Sequence, residues 1–483
     1  MRLDYLRTWG PVVAGPAIGV LIWILPAPAG MPPAAHAVAG LAGWMAVWWL
    51  TAVLPLAVTA LLPLVLLPLI TPMAVDHAAR PYADPIIFLF LGCFFLAAAT
   101  ERWQLHRRVA LAIIGVIGTD PPRLVLGLMV ATAFVSMWIS NTATAVMMLP
   151  LASAVLELAR RESPTDAPAL GRALILGVAY AASIGGIATL IGTPPTAIFA
   201  AAAARTLERP VGFAAWMAIG FPIAVVLLLF CWLLLVRVLF RLRGKLPGVR
   251  DLVQRERVEL GGWTLGQRVT AAVLGIAAVS WLLREPKTIG TLQVPGLVQV
   301  FPGLSDAGIA IGAALILFVC PIAIRERRFA LDWDSAARIP WGVLILFGGG
   351  LALAEAFTSS GLAEWIGRQL EGLRGAPTVV VIGAIALLFV VLTELTSNTA
   401  TAAMAMPIMA SLAPAVGVSP LALMATAALA SALGFMLPVG TPPNALAYGT
   451  GAVTSGEMAR VGVWMDLASG LVITVAVLIW ATA

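Results

Sequence analysis

The chain has 483 residues, of which 61% are hydrophobic and only 11% are charged. Soluble domains have about 25% charged residues, so a soluble enzyme and a disordered chain are both excluded. The net charge is +6, from 29 basic and 23 acidic residues. The basic residues lie in short connections between apolar runs, where they indicate membrane topology and not nucleic-acid binding.

Apolar runs follow one another along the chain. They lie at 10–27, 37–70, 85–100, 109–119, 124–159, 171–204, 211–236, 268–283, 306–324, 340–358, 377–413, 419–450 and 459–482. Because backbone groups in lipid must be hydrogen-bonded within their own segment, we expect each run to be helical. We predict an all-α polytopic membrane protein with about eleven transmembrane helices, each needing about 20 apolar residues. The run 37–70 is long enough for two spans, but its sequence does not fix where they separate.

Four charged patches interrupt these runs, at 101–108, 160–172, 237–268 and 325–338. The positive-inside rule places all four patches on the cytoplasmic side. An even number of spans must then separate successive patches. Two apolar runs lie between the second and third patches and two between the third and fourth, as this placement requires.

The stretch 124–155 carries no charge and lies between Arg123 and the pair Arg160 and Arg161. As one straight helix it would be about 48 Å long, against a hydrocarbon core of about 30 Å. Both ends are basic, so both belong on the cytoplasmic side. We therefore predict a re-entrant helical hairpin with its tip near Ser140-Asn141-Thr142.

Two motifs of the first half recur in the second half. The string SNTATAVMMLP at 140–150 returns as SNTATAAMAMP at 397–407, and IGTPPTAIF at 191–199 returns as VGTPPNALA at 439–447. Because both motifs recur in the same order at nearly the same offset, they indicate a duplication.

The second hairpin, at 377–413, is predicted to enter from the opposite face. A single crossing at 340–358 follows the last cytoplasmic patch, and we expect the amphipathic stretch 362–374 to be a surface helix. The ends of the second hairpin then lie on the outer face, so the repeat is inverted. Inverted repeats are typical of secondary transporters with a binding site at the bilayer midplane.

The residue types in these motifs suit such a site. Ser, Asn and Thr favour bonds to nearby backbone groups over helix interiors. Glycine and proline break a helix, which exposes N–H groups for an anion and carbonyls for a cation. None of the four motifs contains Lys, Arg or His. We therefore expect an anion to be held by neutral donors and co-bound cations, and oxygen ligands without a carboxylate cluster favour Na⁺.

At these residues the chain resembles the divalent anion/sodium symporter family, which includes bacterial INDY-type dicarboxylate transporters. The paired Ser-Asn-Thr and Gly-Thr-Pro-Pro motifs carry the resemblance, together with ERWQLHRRVAL at 101–111 and PWGVLILFGGGLALAEAF at 340–357. The resemblance implies sodium-coupled symport of C4 dicarboxylates such as succinate in the bacterial inner membrane. It also implies a homodimer whose transport domain moves as an elevator against a scaffold domain.

The same resemblance implies the site residues. One sodium site matches Ser136, Ser140, Asn141 and Gly192, and the other matches Thr393, Thr396, Asn398 and Gly440. The substrate contacts match Ser140, Asn141, Thr142, Ser397, Asn398 and Thr399, with Thr193, Pro194, Thr441 and Pro442 from the Gly-Thr-Pro-Pro loops. One departure is visible: Thr196 stands where the family commonly has the asparagine that this chain has at Asn444.

We expect five segments. Residues 1–120 form the scaffold part of the first repeat with a cytoplasmic amphipathic helix, and 121–236 form the first hairpin, the broken helix and the following span. Residues 237–267 form a basic cytoplasmic loop. Residues 268–376 and 377–483 repeat the scaffold part and the hairpin part.

Other interpretations remain open. Sulfate or tricarboxylate import with sodium, and dicarboxylate exchange without it, need the same neutral donors. An enzyme is disfavoured because the motif hydroxyls have no adjacent base. A channel is disfavoured because hairpins that close from opposite faces suit alternating access better than an open pore.

Isolated acidic residues in the apolar runs allow more than one role. Glu394, beside the second tip, either tunes cation affinity or bonds to the hairpin backbone. Asp84, Asp306 and Glu355 lie near the ends of runs, and we expect them at the membrane interface.

Overall fold

The computed structural model describes residues 2–243, 248–289, 292–369 and 375–482. Within these ranges the chain is helical apart from two short antiparallel ribbons and the connections. The ribbons pair β1 (Lys287–Ile289) with β2 (Leu292–Val294) and β3 (Pro321–Ala323) with β4 (Arg328–Phe329). Parts of the predicted loop 237–267, of the segment 268–376 and of the surface helix 362–374 lie outside the described residues.

Twelve α-helices and two other helical segments make up the described first half. They are α1 (Arg2–Ile24), α2 (Pro33–Thr51), α3 (Leu56–Thr59), α4 (Leu62–Ile70), α5 (Val75–Ala79), a 3₁₀ segment (Arg80–Ala83), α6 (Pro85–Arg102), α7 (Leu105–Ile117), α8 (Pro121–Ser136), α9 (Asn141–Glu162), α10 (Ala167–Gly186), α11 (Pro194–Thr206), α12 (Phe213–Leu233) and a π-helical segment (Leu234–Leu239).

The described second half begins with a polar helix and ends with the longest helix. Its helices are α13 (Gly248–Glu259), α14 (Leu265–Leu283), α15 (Leu297–Val300), α16 (Asp306–Val319), α17 (Trp333–Ala336), α18 (Trp341–Ser359), α19 (Leu362–Gln369), α20 (Thr378–Leu395), α21 (Asn398–Val416), α22 (Pro420–Ser431), α23 (Pro442–Gly449) and α24 (Ser455–Thr482).

Nine helical segments in the described ranges are long and apolar enough to cross a membrane, and five shorter apolar helices accompany them. Large apolar side chains lie exposed on their outer faces, including Leu69, Ile276 and Leu471. In a polytopic protein such a surface faces lipid. The predicted membrane fold is confirmed, and the run 37–70 breaks between α2 and α3, where Ala52 has a φ of +46° and Pro55 follows.

The charge-free stretch 124–155 forms two helices that pack against each other. Helix α8 ends at Ser136 and α9 begins at Asn141. In the second half α20 ends at Leu395 and α21 begins at Asn398. Both hairpins therefore turn at the Ser-Asn-Thr motifs, as the sequence predicts.

Two broken helices pass through the centre of the protein. The first is α10 and α11, separated at 187–193, and the second is α22 and α23, separated at 432–441. Helices α10 and α22 are buried over most of their length because their side chains are small enough for neighbours to pack on every side. Each helix meets the hairpin of its own half, so the breaks lie beside the hairpin tips.

The acids near run ends lie in ion pairs. Arg205 of α11 contacts Asp84 at 2.7 Å and Glu355 at 2.6 Å, and Arg284 contacts Asp306 at 2.7 Å. By the topology of the cytoplasmic patches, these pairs lie toward the outer face. Arg205 therefore links the first broken helix to the ends of α6 and α18.

Candidate substrate and cation site

The first half-site consists of the tip of the α8–α9 hairpin and the break at 187–193. Ser136 is fully buried, and its hydroxyl lies 2.8 Å from the Asn141 side-chain oxygen and 2.7 Å from the Ala182 carbonyl. Turning the Asn141 amide over lets its nitrogen donate to the Gly192 carbonyl at 3.2 Å and the Ser136 hydroxyl at 2.8 Å. This side chain therefore faces a cluster of oxygen atoms.

The second half-site, the tip of the α20–α21 hairpin with the break at 432–441, repeats this geometry. Thr393 is fully buried, and its hydroxyl lies 2.8 Å from the Asn398 side-chain oxygen and 2.6 Å from the Ser431 carbonyl. The hydroxyl, the amide and the carbonyl occupy the positions that correspond to the first half-site through the repeat. The duplication has therefore preserved contacts as well as sequence.

Each of these hydroxyls lies between two oxygen acceptors. A hydroxyl has one hydrogen to donate, so Ser136 and Thr393 can each satisfy only one of the two neighbours. The remaining close pair of oxygens is repulsive unless an amide turns over or a cation binds between them. Turning the amide over relieves this contact in the first half-site, where the nitrogen also lies 3.1 Å from the Ala182 carbonyl. In the other orientation the neutral oxygens have the chemistry to hold a monovalent cation.

The hairpin tips place helix N-termini beside these oxygen clusters. Ser140 is exposed and accepts a hydrogen bond from the Ala143 nitrogen at 3.3 Å as the N-cap of α9. Thr142 is exposed, and Ser397 and Thr399 are half-buried at the start of α21. First-turn N–H groups and the helix dipole favour an anion at both tips.

Thr396 differs from the other predicted ligands because its hydroxyl is engaged within its own hairpin. It donates to the Leu392 carbonyl at 2.8 Å or shares a hydrogen with the Thr401 hydroxyl at 2.6 Å. The structure places Thr396 at the second tip without turning its hydroxyl toward Asn398.

The glycines of the two loops lie where no side chain would fit. A β-carbon on Gly192 would lie 2.4 Å from the Gly186 carbonyl oxygen and 2.8 Å from the Ser136 carbonyl oxygen. A β-carbon on Gly440 would lie 2.7 Å from the Glu394 carboxylate. Each glycine thus lets the broken-helix backbone approach the hairpin of its own half.

The threonines and prolines that follow begin new helices. Pro194 and Pro442 are the first residues of α11 and α23. A backbone N–H at this position has no acceptor within the helix, so proline, which lacks the N–H, loses no hydrogen bond there. Thr193 and Thr441 precede them, and both are buried. The Thr441 hydroxyl also accepts a hydrogen bond from the Asn444 nitrogen at 3.3 Å.

Thr196 and Asn444 tie their loops with different groups. The Thr196 hydroxyl lies within hydrogen-bonding distance of two loop carbonyls, at 2.7 and 2.9 Å. The Asn444 amide nitrogen donates to the Gly434 carbonyl at 3.2 Å and the Leu437 carbonyl at 3.1 Å. The Thr196 hydroxyl therefore bridges the first loop as the Asn444 amide bridges the second. The first loop is held together although it has threonine at the position where the second has asparagine.

A hydroxyl and a carboxylate join the breaks to the hairpins. Thr189 donates to the Met137 carbonyl at 2.6 Å, and its oxygen accepts from the Gly192 nitrogen at 3.1 Å. Glu394 accepts from the Met436 nitrogen at 2.7 Å and the Leu437 nitrogen at 2.8 Å. Glu394 thus bonds to the second break and not to the backbone of its own hairpin.

Three further residues contact or lie near the breaks and were not singled out from the sequence. Thr189 carries no signal beyond its place three residues before the Gly-Thr-Pro-Pro motif. Tyr180 donates to the Phe435 carbonyl at 2.8 Å and so joins the two halves. Asp466 lies 94% buried in α24, and an acid alone within the last apolar run was a usable signal.

The packing of helices brings the two half-sites together. Helix α23, which follows the second break, packs on α9 of the first hairpin, and α11, which follows the first break, packs on α21 of the second hairpin. Each half therefore supplies a helix that packs on the second arm of the other half's hairpin. The two halves thereby interlock through α9, α11, α21 and α23.

Two cavities lie beside the second arms of the hairpins. The cytoplasmic one, between α7, α9 and α13, has a volume of about 520 Å³ and reaches Ala143, three residues after Ser140. The outer one, between α19 and α21, has about 390 Å³ and reaches only Pro407, the counterpart of Pro150. The cytoplasmic cavity therefore comes closer along the chain to the first tip than the outer cavity does to the second tip.

Charged groups line the mouth of the cytoplasmic cavity. Arg107 of α7 forms an ion pair with Glu256 of α13. Burial lowers the pKa of the neighbouring His106 below its usual value, so its ring is neutral at pH 7. The positive charge of Arg107 at the cavity mouth is therefore compensated by Glu256.

Comparisons with known proteins agree with this architecture. The family model described as "Sodium:sulfate symporter transmembrane region" matches residues 6–483. The sodium-dependent dicarboxylate transporter SdcS of Staphylococcus aureus strain MSSA476 is 42% identical over 473 residues, covering 96% of this chain and 90% of that protein. SdcS of strain NCTC 8325 is 41% identical over the same length.

Two solved structures share the fold at low sequence identity. The Alcanivorax borkumensis YdaH transporter has a TM-score of 0.52 and 17% identity and covers 93% of this chain and 98% of its own. Neisseria gonorrhoeae MtrF has a TM-score of 0.56 and 14% identity and covers 85% of this chain and 84% of its own. From the family match, from SdcS and from the repeated hairpins, the chain belongs to the sodium:sulfate symporter family.

Proposed function

We propose that this protein imports C4 dicarboxylates such as succinate across the bacterial inner membrane by symport with sodium. The name of SdcS, a sodium-dependent dicarboxylate transporter, supports this function. The observation that carries it is the pair of half-sites, each a hydroxyl, an amide and a carbonyl at a hairpin tip. Two neutral oxygen clusters suit two monovalent cations.

The sodium ions are proposed to bind at the hairpin tips. The residues that would hold them are Ser136, Ser140, Asn141 and Gly192 in the first half-site and Thr393, Thr396, Asn398 and Gly440 in the second. With the Asn141 oxygen turned inward, it joins the Ser136 hydroxyl and the Gly192 carbonyl around a cation. The sodium ion then removes the repulsion that an unpaired oxygen contact would cause.

The dianion is proposed to bind between the tips. Its contacts would be Ser140, Asn141, Thr142, Ser397, Asn398 and Thr399, with Thr193, Pro194, Thr441 and Pro442 from the loops. These motifs contain no Lys, Arg or His, so helix N-termini and sodium ions supply the positive potential. Because sodium compensates the charge of the substrate, the two are bound and released together, and this interdependence constitutes the coupling.

Movement of a transport domain is proposed to expose this site alternately to each side. Residues 121–236 and 377–483 would move as an elevator against 1–120 and 268–376, with the cytoplasmic loop 237–267 joining the repeats. The unequal depth of the two cavities supports an inward-facing state. We further propose that two copies of the scaffold form a homodimer.

Sulfate is a second candidate substrate, because the matching family model is described by sodium:sulfate symport. Proteoliposomes separate the candidates. We expect labelled succinate to enter only with an inward sodium gradient, with sulfate and citrate as weak competitors. Sulfate uptake that succinate does not inhibit would favour the second candidate, and counterflow without sodium would favour exchange. If neither dianion enters, sodium-coupled dianion transport is wrong.

A further inference from the structure

One face of α12 carries a ridge of exposed apolar side chains. The α12 ridge consists of residues spaced four apart, Phe221, Val225, Leu229 and Leu233. Residues at this spacing lie on the same face of a helix. All four are between 38% and 47% exposed within the described chain, so lipid acyl chains lie against the ridge.

The α12 ridge ends in an arginine. The next residue at the same spacing is Arg237, in the π-helical segment after α12, and it is exposed. This segment closes the apolar span Phe213–Leu239, and the topology of the charged patches puts its end on the cytoplasmic side. The Arg237 guanidinium therefore lies where hydrocarbon gives way to lipid headgroups.

The chain then folds back and brings two more arginines to this end of the helix. Arg241 has a φ of +46°, a left-handed conformation that residues other than glycine seldom adopt. The Leu242 nitrogen donates to the Val236 carbonyl at 3.0 Å, and the Leu242 side chain is buried. Arg241 and Arg243, on either side of this leucine, are exposed. The buried leucine therefore anchors a short segment that presents both arginines at the surface.

Arg241 and Arg243 line a small cavity. It has a volume of about 150 Å³ and lies between this segment, the end of α9 and the starts of α8 and α10. The acid that lines it is Asp166, which is exposed and accepts a hydrogen bond from the Ser163 hydroxyl at 2.9 Å. Two arginines and one acid leave the described lining of this cavity with an excess of positive charge.

The three arginines have no carboxylate partner within the described chain. Arg237, Arg241 and Arg243 form neither an ion pair nor a side-chain hydrogen bond with a described residue, whereas the neighbouring Arg172 pairs with Glu457 at 2.6 Å. A guanidinium group binds a phosphate through two parallel hydrogen bonds. Three uncompensated guanidinium groups at the end of one span therefore suit a phosphate-bearing ligand.

We propose that Arg237, Arg241 and Arg243 bind the phosphate of an anionic phospholipid of the cytoplasmic leaflet, with its acyl chains along the α12 ridge. The ridge and the arginines adjoin at the same end of one helix, which matches a lipid with two acyl chains and a charged headgroup. A free phosphate ion would leave the ridge unused. Basic clusters directly cytoplasmic of a span attract anionic lipids in this way.

The test measures lipid binding to the purified protein in neutral detergent, by native mass spectrometry and by thermal stabilisation. Dioleoyl phosphatidylglycerol is expected to reach half-saturation at a concentration at least tenfold lower than dioleoyl phosphatidylcholine, which has the same chains and no net charge. The combined variant Arg237→Gln, Arg241→Gln and Arg243→Gln should raise the half-saturating concentration of phosphatidylglycerol at least tenfold.

The matched control removes three arginines from another cytoplasmic patch. Arg325→Gln, Arg327→Gln and Arg328→Gln take away the same charge in the turn between β3 and β4, where Arg328 already pairs with Glu326 at 3.4 Å. This variant should change the half-saturating concentration less than twofold. Equal shifts in the two triple variants would mean that the lipid responds to overall charge, and would overturn the site.

Comparisons on the native chain keep the proposal testable if the triple variant does not fold. Dihexanoyl phosphatidylglycerol has chains too short to follow the α12 ridge, so it should bind at least tenfold more weakly than the dioleoyl lipid. Inorganic phosphate at millimolar concentration should neither stabilise the protein nor displace the lipid. Displacement by phosphate would assign the arginines to a free anion, and equal binding of phosphatidylcholine would assign the lipid to the ridge alone. Either result would overturn the proposal.

Discussion

The two half-sites have the same geometry at their tips but different chemistry behind them. In the first, the neutral hydroxyl of Thr189 connects the break to the hairpin through the Met137 carbonyl. In the second, the carboxylate of Glu394 makes this connection through two backbone nitrogens. Duplication therefore preserved the oxygen cluster at each tip and let the supporting contact diverge.

This difference has an electrostatic consequence. The buried acid Glu394 lies beside the second half-site, whereas Met137, at the corresponding position 257 residues earlier, is apolar. A negative charge near a cation site stabilises the bound ion, and burial strengthens the effect. We expect the second half-site to bind sodium more tightly and to fill first.

The largest effect is expected from removing either asparagine. Asn141→Ala and Asn398→Ala should each abolish measurable sodium-dependent uptake, because each removes an oxygen from one cation cluster and a donor from the tip. Uptake in proteoliposomes measures the loss, and gel filtration with a thermal melt checks that the protein is folded. Normal uptake by one variant would remove that residue from the site and restrict the site to the other half.

The next effect compares the two supporting contacts. Glu394→Gln should raise the sodium concentration for half-maximal uptake about tenfold, equivalent to about 1.4 kcal/mol. The substitution removes the negative charge of the side chain. It also places an NH₂ group opposite a backbone N–H, and two donors cannot form a hydrogen bond with each other. Thr189→Val, which removes the neutral hydroxyl in the first half, should cost only about 1 kcal/mol of stability for the lost hydrogen bond. Sodium titrations of both variants measure the contrast, and equal shifts would show that the charge of Glu394 has no special role.

The sequence predicted the tips of the two half-sites but not what lies behind them. The first hairpin followed from an uncharged stretch too long for one span and the second from the repeated motif, whereas the ligands were implied by the resemblance to the divalent anion/sodium symporter family. The contacts of Thr189 with Met137 and of Asp466 with Glu394 join segments far apart in the chain, which no local pattern encodes. Glu394 was visible as a buried acid, yet its partners Met436 and Leu437 contribute only backbone nitrogens, which have no sequence signature.

The outer and cytoplasmic sides of the protein also differ in how the proposed site is reached. Arg205 links the first broken helix to Asp84 and Glu355 on the outer side, and this contact must break if the transport domain moves. Arg205→Met should therefore shift the protein toward an outward-facing state. Ala403, which packs against Gly350 of α18 and lies one turn before Pro407 at the outer cavity, is chosen to report the shift.

The measurement uses Ala403→Cys in a Cys320→Ser background. Labelling by an impermeant thiol reagent from outside should rise several-fold when Arg205→Met is added. Arg172→Met is the matched control, because Arg172 pairs with Glu457 at the same 2.6 Å but joins two helices of the proposed transport domain. If both arginine variants raise labelling equally, general loosening and not an outer lock explains it.

The smallest effect concerns the loop residue that differs between the halves. Thr196→Asn should change uptake less than twofold, because the existing hydroxyl already closes the first loop over 2.7 and 2.9 Å contacts. Asn444→Thr should lower the melting temperature more. The Asn444 amide donates to the Gly434 and Leu437 carbonyls at once, whereas a hydroxyl has only one hydrogen to donate. Losing one hydrogen bond costs about 1 kcal/mol. Thermal melts of both variants in detergent measure this asymmetry. Equal melting temperatures would mean that the two loops tolerate either residue, and that the departure at Thr196 reflects drift and not a difference in how the two breaks are held.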